Sequence, residues 1–315
     1  MDERYRRAIE RNLGLFTEDE QARLQRARVA IAGLGGVGGG TFLDLCRLGV
    51  GRFSIADPDS FADSDRNRQR GACSSSIGCN KTEVLAAAAR EINPQVDIRA
   101  FPEGLSSDNA ADLLAGADFA VDALDYFALA ERQALHDHAR RQGLTVSLAA
   151  IFGFGTSLAV FTPEGPGFAE LFGRVEGVLP LGHRLEFGRF LFPLIPDYLD
   201  VRAYLQALRN ERPIPSLSPP ASIAAGLQSM EVALCLTGRR PTVAVPRIKW
   251  VDLHAQQMRI IDSRSRLTRL RALLGMARVA HRLFADGSSA GGLGKRLSRF
   301  APGRRRQKRP PPSSR

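Results

Sequence analysis

The sequence predicts an α/β fold, a Rossmann-like, doubly wound and mostly parallel sheet that late antiparallel strands extend. Over the first 150 residues, short apolar runs typical of buried strands alternate with segments of helical character. A glycine-rich turn follows the first of these apolar runs. This alternation is typical of a parallel sheet with helices on both faces. After residue 150 the pattern becomes rich in Gly, Pro and Phe, and we expect its strands to join the same sheet.

Composition excludes several classes of protein. The chain has 315 residues, 44% of them apolar, which suits one large domain and excludes a disulfide-stapled miniprotein or a wholly disordered chain. No apolar run reaches the ~18–20 residues needed to cross a bilayer. The charged first ten residues argue against a secretory signal, and four scattered cysteines favour a reducing compartment. We therefore expect a cytoplasmic protein.

The net charge of +11 is concentrated at one end of the chain. Residues 264–315 contain fifteen Lys and Arg and one acid, Asp286, which leaves a net charge of −3 on residues 1–263. The high overall charge is therefore no indication of a basic enzyme surface, and without a base-reading motif it predicts no specific nucleic-acid partner.

The first 150 residues predict five strands and their helices. A short helix is expected over residues 2–11, and Thr17 with Glu20 forms a capping box that begins a helix ending near Arg26. Further strands and helices follow from apolar runs, an Ala-rich segment and the helix-ending Asn93-Pro94. Strands are predicted at 28–32, 53–57, 96–100, 118–123 and 145–149, and helices at 41–48, 81–92 and 129–141.

The second half of the chain is less regular. A strand is expected at 156–161, a short helix at 197–208, a stiff connector at 213–220 and an apolar helix at 221–236. Two late strands are predicted, at 243–245 and 248–253. The segment 164–220 shows no repeat and no motif.

The glycine-rich turn predicts a nucleotide site. Gly33, Gly35, Gly36 and Gly38 lie between a strand and a helix, where glycine permits a tight turn and a helix N-terminus offers N–H groups to phosphate. Asp57 ends the next strand, the position of a carboxylate that accepts hydrogen bonds from ribose hydroxyls. On this pattern NAD, FAD and ATP remain open, and the alternative is that the glycines serve packing alone.

Three more residues narrow the ligand. Arg68 and Lys81 follow Asp57, and Asp125 lies at the carboxyl end of the fourth strand. Ligands of doubly wound folds bind at this edge of the sheet. An Arg and a Lys suit a triphosphate, and Asp125 suits a magnesium ion that also contacts phosphate. A nicotinamide enzyme has no evident need for these groups, so an NAD- or FAD-dependent oxidoreductase is the weaker alternative.

These residues resemble the adenylating enzymes of the ThiF/MoeB/E1 family, which activate ubiquitin-like proteins and sulfur carriers. The resemblance covers about residues 1–160 well and 220–255 weakly. It rests on Arg4-Tyr5-Arg6-Arg7, the glycine turn, Asp57-Pro58-Asp59, Asn67-Arg68-Gln69, Gly78 with Lys81, Ile92-Asn93-Pro94, and Asp125.

The resemblance implies ATP and Mg²⁺ as cofactors and a C-terminal carboxylate of a small carrier protein or peptide as the acceptor, activated as an acyl-adenylate. It implies that the four glycines, Asp57, Asp59, Asn67 and Gln69 bind ATP, that Arg68 and Lys81 bind phosphates, and that Asp125 holds the metal. Arg7 matches the arginine that reaches across a homodimer to the partner's phosphates.

The sequence departs from the family at two places. Relatives usually carry Asn where this chain has Asp65, and an acid there adds negative charge near the phosphates unless it faces Arg66 or magnesium. A catalytically weakened, nucleotide-binding scaffold therefore stays open as an alternative. The four cysteines form no Cys-x-x-Cys pair, so no zinc is expected, and residues 150–234 lack a cysteine for a thioester.

Three segments are predicted: an adenylation domain at 1–262, a basic amphipathic helix at 263–285 and a disordered basic tail at 286–315. In the helix, Leu267, Leu270, Leu273 and Leu274 fall on one side and arginines on the other. Either this helix lies on an anionic membrane or an acidic partner, making the protein peripherally membrane-associated, or its apolar side packs on the protein's own body.

Overall fold

The computed structural model describes residues 3–174, 181–196, 198–239 and 242–285. The predicted tail at 286–315 lies outside these residues. The strands are β1 (Arg28–Ala32), β2 (Arg52–Ala56), β3 (Asp97–Phe101), β4 (Phe119–Asp122), β5 (Val146–Phe152), β6 (Gly155–Phe161), β7 (Arg247–Asp252) and β8 (Gln257–Asp262). The helices are α1 (Glu3–Ala8), α2 (Glu18–Arg26), α3 (Gly38–Arg47), α4 (Lys81–Ile92), α5 (Ala110–Leu113), α6 (Leu129–Arg141), α7 (Phe168–Phe172), α8 (Leu181–Leu191), α9 (Val201–Leu208), α10 (Ser218–Thr237) and α11 (Arg266–Ala285).

All eight strands form one sheet in the order β3-β2-β1-β4-β5-β6-β7-β8. The first five pair in parallel, and β6, β7 and β8 are added antiparallel. The predicted fold class is therefore confirmed. The strand order reverses between β1 and β4, which places a crevice at the carboxyl ends of these two strands.

Side chains alternate between two cores, one on each face of the sheet. Val29 and Ile31 of β1 face one core, and Ala30 and Ala32 face the other. The first core also contains side chains of α2, α3, α4 and α10, and the second contains those of α5 to α8. Because β1 is buried on both faces, it forms an apolar run without alternation, as expected of a central parallel strand.

The late part of the sheet differs from the prediction. Residues 243–245 form no strand, although the Val245 N–H still donates to the Val160 carbonyl at 2.9 Å. β8 was not predicted. It is a short edge strand in which Met258 and Ile260 share one face, but both are exposed, so the strand has no buried face to mark it.

α10 packs on the same face of the sheet as α3, the helix that follows the glycine turn. Gln228 is buried in the middle of this helix, where it accepts from the Thr41 hydroxyl at 3.1 Å and donates to the Ser147 carbonyl at 3.1 Å. Val232 and Ala233 join the core beneath α3. Among the described residues, no helix is long and apolar enough to cross a membrane.

Candidate nucleotide site at the carboxyl edge of the sheet

The turn between β1 and α3 requires glycine at two positions. Gly33 has a φ of +90°, a conformation that side chains rarely adopt, and the loop after β4 lies against it. A Cβ atom on Gly38 would collide with the Gly33 carbonyl and would come within 2.7 Å of the Ala123 Cβ atom. The turn and the loop after β4 are therefore packed together, and no side-chain cap covers the N-terminus of α3.

Asp57 lies directly beside this turn. Its buried carboxylate accepts from the Leu34 N–H at 2.6 Å and from the Asp59 N–H at 2.9 Å. A carboxylate has about four acceptor positions, so capacity remains for ribose hydroxyls. Burial raises the pKa of the Asp57 carboxyl, and the positive charge of Lys81 opposes that rise.

Lys81 begins α4 and is nearly fully buried. Its Nζ atom pairs with Asp59 at 2.9 Å, and its N–H donates to the Asp59 carbonyl at 2.9 Å. The ion pair explains how a lysine can be buried here, since an unpaired charge would not be tolerated. Lys81 and Asp59 thus lie at the same end of β2 as Asp57.

Arg68 and Gln69 approach the turn from the other side. A Cβ atom on Gly36 would lie 3.3 Å from the Arg68 carbonyl oxygen and 3.4 Å from the Arg68 Cγ atom, and one on Gly35 would lie 4.0 Å from the Gln69 Nε2 atom. The predicted cluster of Asp57, Lys81, Arg68 and Gln69 is therefore gathered around one turn.

Asp65 organises the turn that carries Arg68. Its buried carboxylate accepts from Gln69 at 2.6 Å, from the Ala62 N–H at 3.0 Å and from Arg68 at 3.4 Å. Arg66 does not neutralise Asp65, because Arg66 pairs with Asp63 at 3.0 Å. The buried Oε1 atom of Gln69 has no hydrogen-bond partner among the described residues. It therefore still needs a donor, such as a hydroxyl or an amide.

Asn67 links this turn to the second half of the chain. Its Nδ2 atom donates to the Ser216 carbonyl at 2.9 Å, and its Oδ1 atom accepts from Arg68 at 2.8 Å. Ser216 precedes α10, and the first turn of α10 also reaches the site, since a Cβ atom on Gly36 would lie 3.5 Å from the Ala221 Cβ atom. The glycine turn therefore has the N-terminal ends of α3 and α10 beside it.

Asp125 is exposed on the loop after β4, two residues beyond the Ala123 that contacts the glycine turn. Among the described residues, no group of three His, Cys, Asp or Glu side chains could hold a metal by itself. One exposed carboxylate beside a glycine turn that could hold phosphate suits magnesium, which is commonly bound by one or two carboxylates together with substrate phosphates.

The loop that carries Asp125 is held by a buried cluster that sequence reasoning missed. Asp122 accepts from Arg132 at 2.8 Å and lies 3.0 Å from His136, and Arg132 donates to the Leu124 carbonyl at 2.7 Å. Burial alone would raise the pKa of Asp122, but Arg132 and His136 lower it below its ordinary value. A signal existed in the sequence: Arg132 and His136 share the helical face of Leu129, Leu135 and Ala139, which is the buried face of α6.

Arg7 is the one predicted site residue that lies far from the turn in the same chain. It is exposed on α1 and pairs with Glu3. The neighbouring Tyr5 donates to the Gly49 carbonyl at 2.7 Å, just beyond the C-terminal end of α3. A helix of ten residues such as α3 is about 15 Å long, so α1 lies at the opposite edge of the sheet from the glycine turn.

Curated relatives match about half of this chain. The SAMP-activating enzyme E1 of Haloferax volcanii is 33% identical over 48% of this chain and 56% of its own length. The sulfur carrier protein adenylyltransferase of Thermus thermophilus is 34% identical over 45% and 51%. The tRNA threonylcarbamoyladenosine dehydratase of Haemophilus influenzae is 37% identical over 35% and 43%. The chain thus spans about half the length of the curated relatives it matches.

Solved structures share the fold over most of the chain. PaaA superposes with a TM-score of 0.63 at 20% identity, covering 83% of this chain and 74% of that chain. E. coli MccB with ATP gives a TM-score of 0.62 at 15% identity, covering 84% and 72%. The model of the family described as the ThiF family matches residues 5–270. With the ordered glycine turn, the acids and the basic side chains gathered at one crevice, this match shows that the chain belongs to the ThiF family.

Proposed function

We propose that the protein is an ATP- and magnesium-dependent adenylyltransferase that activates the C-terminal carboxylate of a small carrier protein or peptide as an acyl-adenylate. The observation that carries the proposal is the gathering of Arg68, Lys81 and Asp57 around the Gly33–Gly38 turn. Relatives that are named as an activating enzyme and as an adenylyltransferase support the proposal. Another relative is named as a tRNA-modifying dehydratase, so the acceptor has to be identified by experiment.

The reaction is a displacement at phosphorus. A carboxylate oxygen of the acceptor attacks the α-phosphorus of ATP, the bond from that phosphorus to the bridging oxygen breaks, and pyrophosphate leaves with the electron pair. No protein nucleophile is required. Arg68 and Lys81 stabilise the charge that builds up on the phosphate oxygens, and the backbone N–H groups of the glycine turn hold the phosphates in line.

Two ion pairs of the described structure compete with the nucleotide. Lys81 pairs with Asp59 at 2.9 Å, and Arg68 lies 3.4 Å from Asp65. A bound phosphate would either share each cation with its acidic partner or displace that partner. The partners also hold each cation in place beforehand, which reduces the entropy lost on binding. Asp57 binds the ribose through its unused acceptor positions. Magnesium, held by Asp125 together with the phosphates, would add further positive charge at the leaving group.

ATP–pyrophosphate exchange tests the proposal. Carrier proteins ending in a flexible C-terminus and synthetic peptides are offered as acceptors, and exchange of labelled pyrophosphate into ATP is measured. We expect exchange with the true acceptor class and its loss, by at least about a hundredfold, in Asp125→Ala and Arg68→Ala, as is typical for removal of a group that stabilises transition-state charge. Absence of ATP binding by calorimetry would reject the proposal.

Control variants are available in the loop that carries Arg68. Arg66 is two residues from Arg68 but pairs with the exposed Asp63, so Arg66→Ala should retain exchange. Asp63→Ala, which removes an exposed carboxylate from that loop, is the control for removal of the Asp125 carboxylate. Loss of exchange in these controls would mean that the loops tolerate no substitution and that the losses carry no information on catalysis.

Asp65 favours a second candidate, a nucleotide-binding scaffold with weak catalysis. Its carboxylate contacts both Arg68 and Gln69 and so adds a negative charge beside the expected phosphates. An Asn side chain can keep one acceptor without this charge. ATP binding without exchange in the wild type, together with exchange in Asp65→Asn, would establish the scaffold and reject the enzyme.

A further inference from the structure

α11 turns small residues, not leucines, towards the protein. Thr268, Ala272 and Gly275 are buried and lie on one side of the helix. Gly275 packs against Ile195, whose Cβ atom would lie 3.3 Å from a Cβ atom on the glycine. Ser265 caps the helix by accepting from the Thr268 N–H at 3.1 Å. The alternative that the leucine side packs on the protein's own body is therefore wrong for the leucines described.

The outward side of α11 is an apolar stripe. Leu267, Leu270, Leu273 and Leu274 are between 50% and 58% exposed. At 100° per residue these four side chains fall within about 120° of one another, centred opposite the packed side. We call this set the leucine stripe. Four half-exposed leucines on two turns of helix are far more than the scattered apolar residues of an ordinary surface.

Exposed arginines border the leucine stripe on both sides. Arg271 and Arg278 lie along one border and Arg269 lies along the other, whereas Arg266, at the start of the helix, falls within the angular range of the stripe. Among the described residues, none of the four has an acidic side chain within ion-pair distance. An apolar stripe with cationic borders matches the cross-section of a membrane interface, where leucines enter the acyl region and arginines meet lipid phosphates.

We propose that the leucine stripe of α11 docks on an anionic lipid surface. Charge favours this occupant, since residues 264–315 carry a net charge of +14 whereas residues 1–263 carry −3. A second copy fits poorly, because a two-fold contact would place the arginines of one copy against those of the other. The acidic groups of a partner protein would pair with the arginines, but they would not provide the apolar environment that the four leucines need. The proposal is independent of the adenylation reaction.

Vesicle flotation with the full chain tests this docking. We expect binding to phosphatidylcholine vesicles containing about a quarter phosphatidylglycerol and little binding to pure phosphatidylcholine. The double variant Leu270→Gln/Leu274→Gln should bind more weakly by about tenfold per leucine, because each loses its apolar burial without a change of charge. Leu15→Gln/Met258→Gln is the matched control, since these side chains are 72% and 66% exposed elsewhere, and it should bind as the wild type does.

A fluorescent variant separates the stripe from the basic tail. The chain has one tryptophan, Trp250, which is buried, so a Leu270→Trp substitution adds a reporter over a constant background. On anionic vesicles we expect a blue shift and quenching by brominated lipid. Flotation of the Leu270→Gln/Leu274→Gln variant equal to wild type would show that the tail binds alone and would overturn the proposal. Equal binding of the wild type to neutral and anionic vesicles would also overturn it. The same holds if the wild type is a dimer that the Leu270→Gln/Leu274→Gln variant converts to a monomer and neither protein binds lipid.

Discussion

At the scale of single residues, the buried Asp122 carboxylate depends on Arg132. Both side chains are almost fully buried, and Arg132 also holds the loop that leads to Asp125. Removing one partner of a buried ion pair leaves an uncompensated charge. We expect Arg132→Met to lower the free energy of unfolding by about 3–5 kcal/mol in urea denaturation at neutral pH. Arg6→Met, at an exposed pair with Glu18, should cost no more than about 1 kcal/mol.

The same substitution should show a distinct pH dependence. In the wild type the pKa of Asp122 is lowered, so the stability it contributes is present above the ordinary carboxyl range and is lost as the pH falls. Without Arg132, Asp122 keeps its contacts with His136 and the Leu124 N–H but loses its strongest cationic partner, so burial would raise that pKa relative to the wild type. Acidification would then protonate the carboxyl and remove the less well compensated charge. The difference in stability between Arg132→Met and wild type should therefore shrink between pH 8 and pH 5. A difference that stays constant would contradict the assignment.

A substitution at Gly38 tests how tightly the glycine turn is packed. A Cβ atom there would enter the Gly33 carbonyl and the Ala123 side chain, both of which belong to the packed crevice. We expect Gly38→Ala to lower stability by about 2 kcal/mol, in the range of overpacked interiors, and to abolish ATP binding. Thermal unfolding and calorimetry measure the two effects. Normal ATP affinity in this variant would place the nucleotide elsewhere.

At the scale of elements, Gly226 of α10 provides the control for the substitution of Gly38. Gly226 lies in the middle of this helix, is exposed, has no positive φ and has no neighbour within 4 Å of an added Cβ atom. Glycine within a helix is unfavourable because of its backbone entropy, so Gly226→Ala should raise the free energy of unfolding by about 0.5–1 kcal/mol. A loss of stability would show that this helix face is covered by another molecule in solution.

Prediction from sequence succeeded where local chemistry decides the element. The Thr17–Glu20 capping box is present, with Glu20 N–H donating to the Thr17 hydroxyl at 3.2 Å, and the buried runs of β1 and β4 are strands. It failed at β8, whose backbone is determined by pairing with β7 and not by a hydrophobic pattern. It also failed at residues 243–245, where the Val245 N–H donates to the Val160 carbonyl of β6 but no strand forms. The start of α10 was placed three residues late, because Pro219 and Pro220 occupy the first turn, where proline is tolerated.

For the site, sequence order predicted which residues meet but not what they contact. Asp57, Arg68 and Lys81 all follow β2, and the glycine turn follows β1. They meet because these two parallel strands are neighbours and end at the same edge of the sheet. The partners Asp59 and Asp65 for the two cations, and the approach of α10 to Gly36, depend on side-chain packing between distant segments. No pattern within a window of sequence encodes those contacts.

At the scale of the whole molecule, Arg7 predicts shared active sites. Because α1 lies at the opposite edge of the sheet from the glycine turn, Arg7 can reach phosphates only in another subunit of the proposed homodimer. Arg7→Ala should therefore lose exchange, while Arg4→Ala on the same helix should retain it. Mixing Arg7→Ala with Asp125→Ala should restore about a quarter of wild-type activity, since half of the random dimers contain one intact site of two.

Size-exclusion chromatography with light scattering provides the control for this experiment. Both variants must form dimers and exchange subunits before the assay. Restoration without a dimer, or dimers that exchange subunits with no restoration, would remove Arg7 from the site.

The position of α10 has a consequence for how the chain can be divided. α10, which begins 57 residues after the end of β6, supplies Val232 and Ala233 to the core beneath α3 and brings Ala221 to Gly36. A fragment containing only the first 160 residues would expose that core to water and leave Thr41 and Ser147 without Gln228. We therefore expect that the half carrying the glycine turn does not fold by itself, and that domain grafting or truncation must carry residues 218–237 with it.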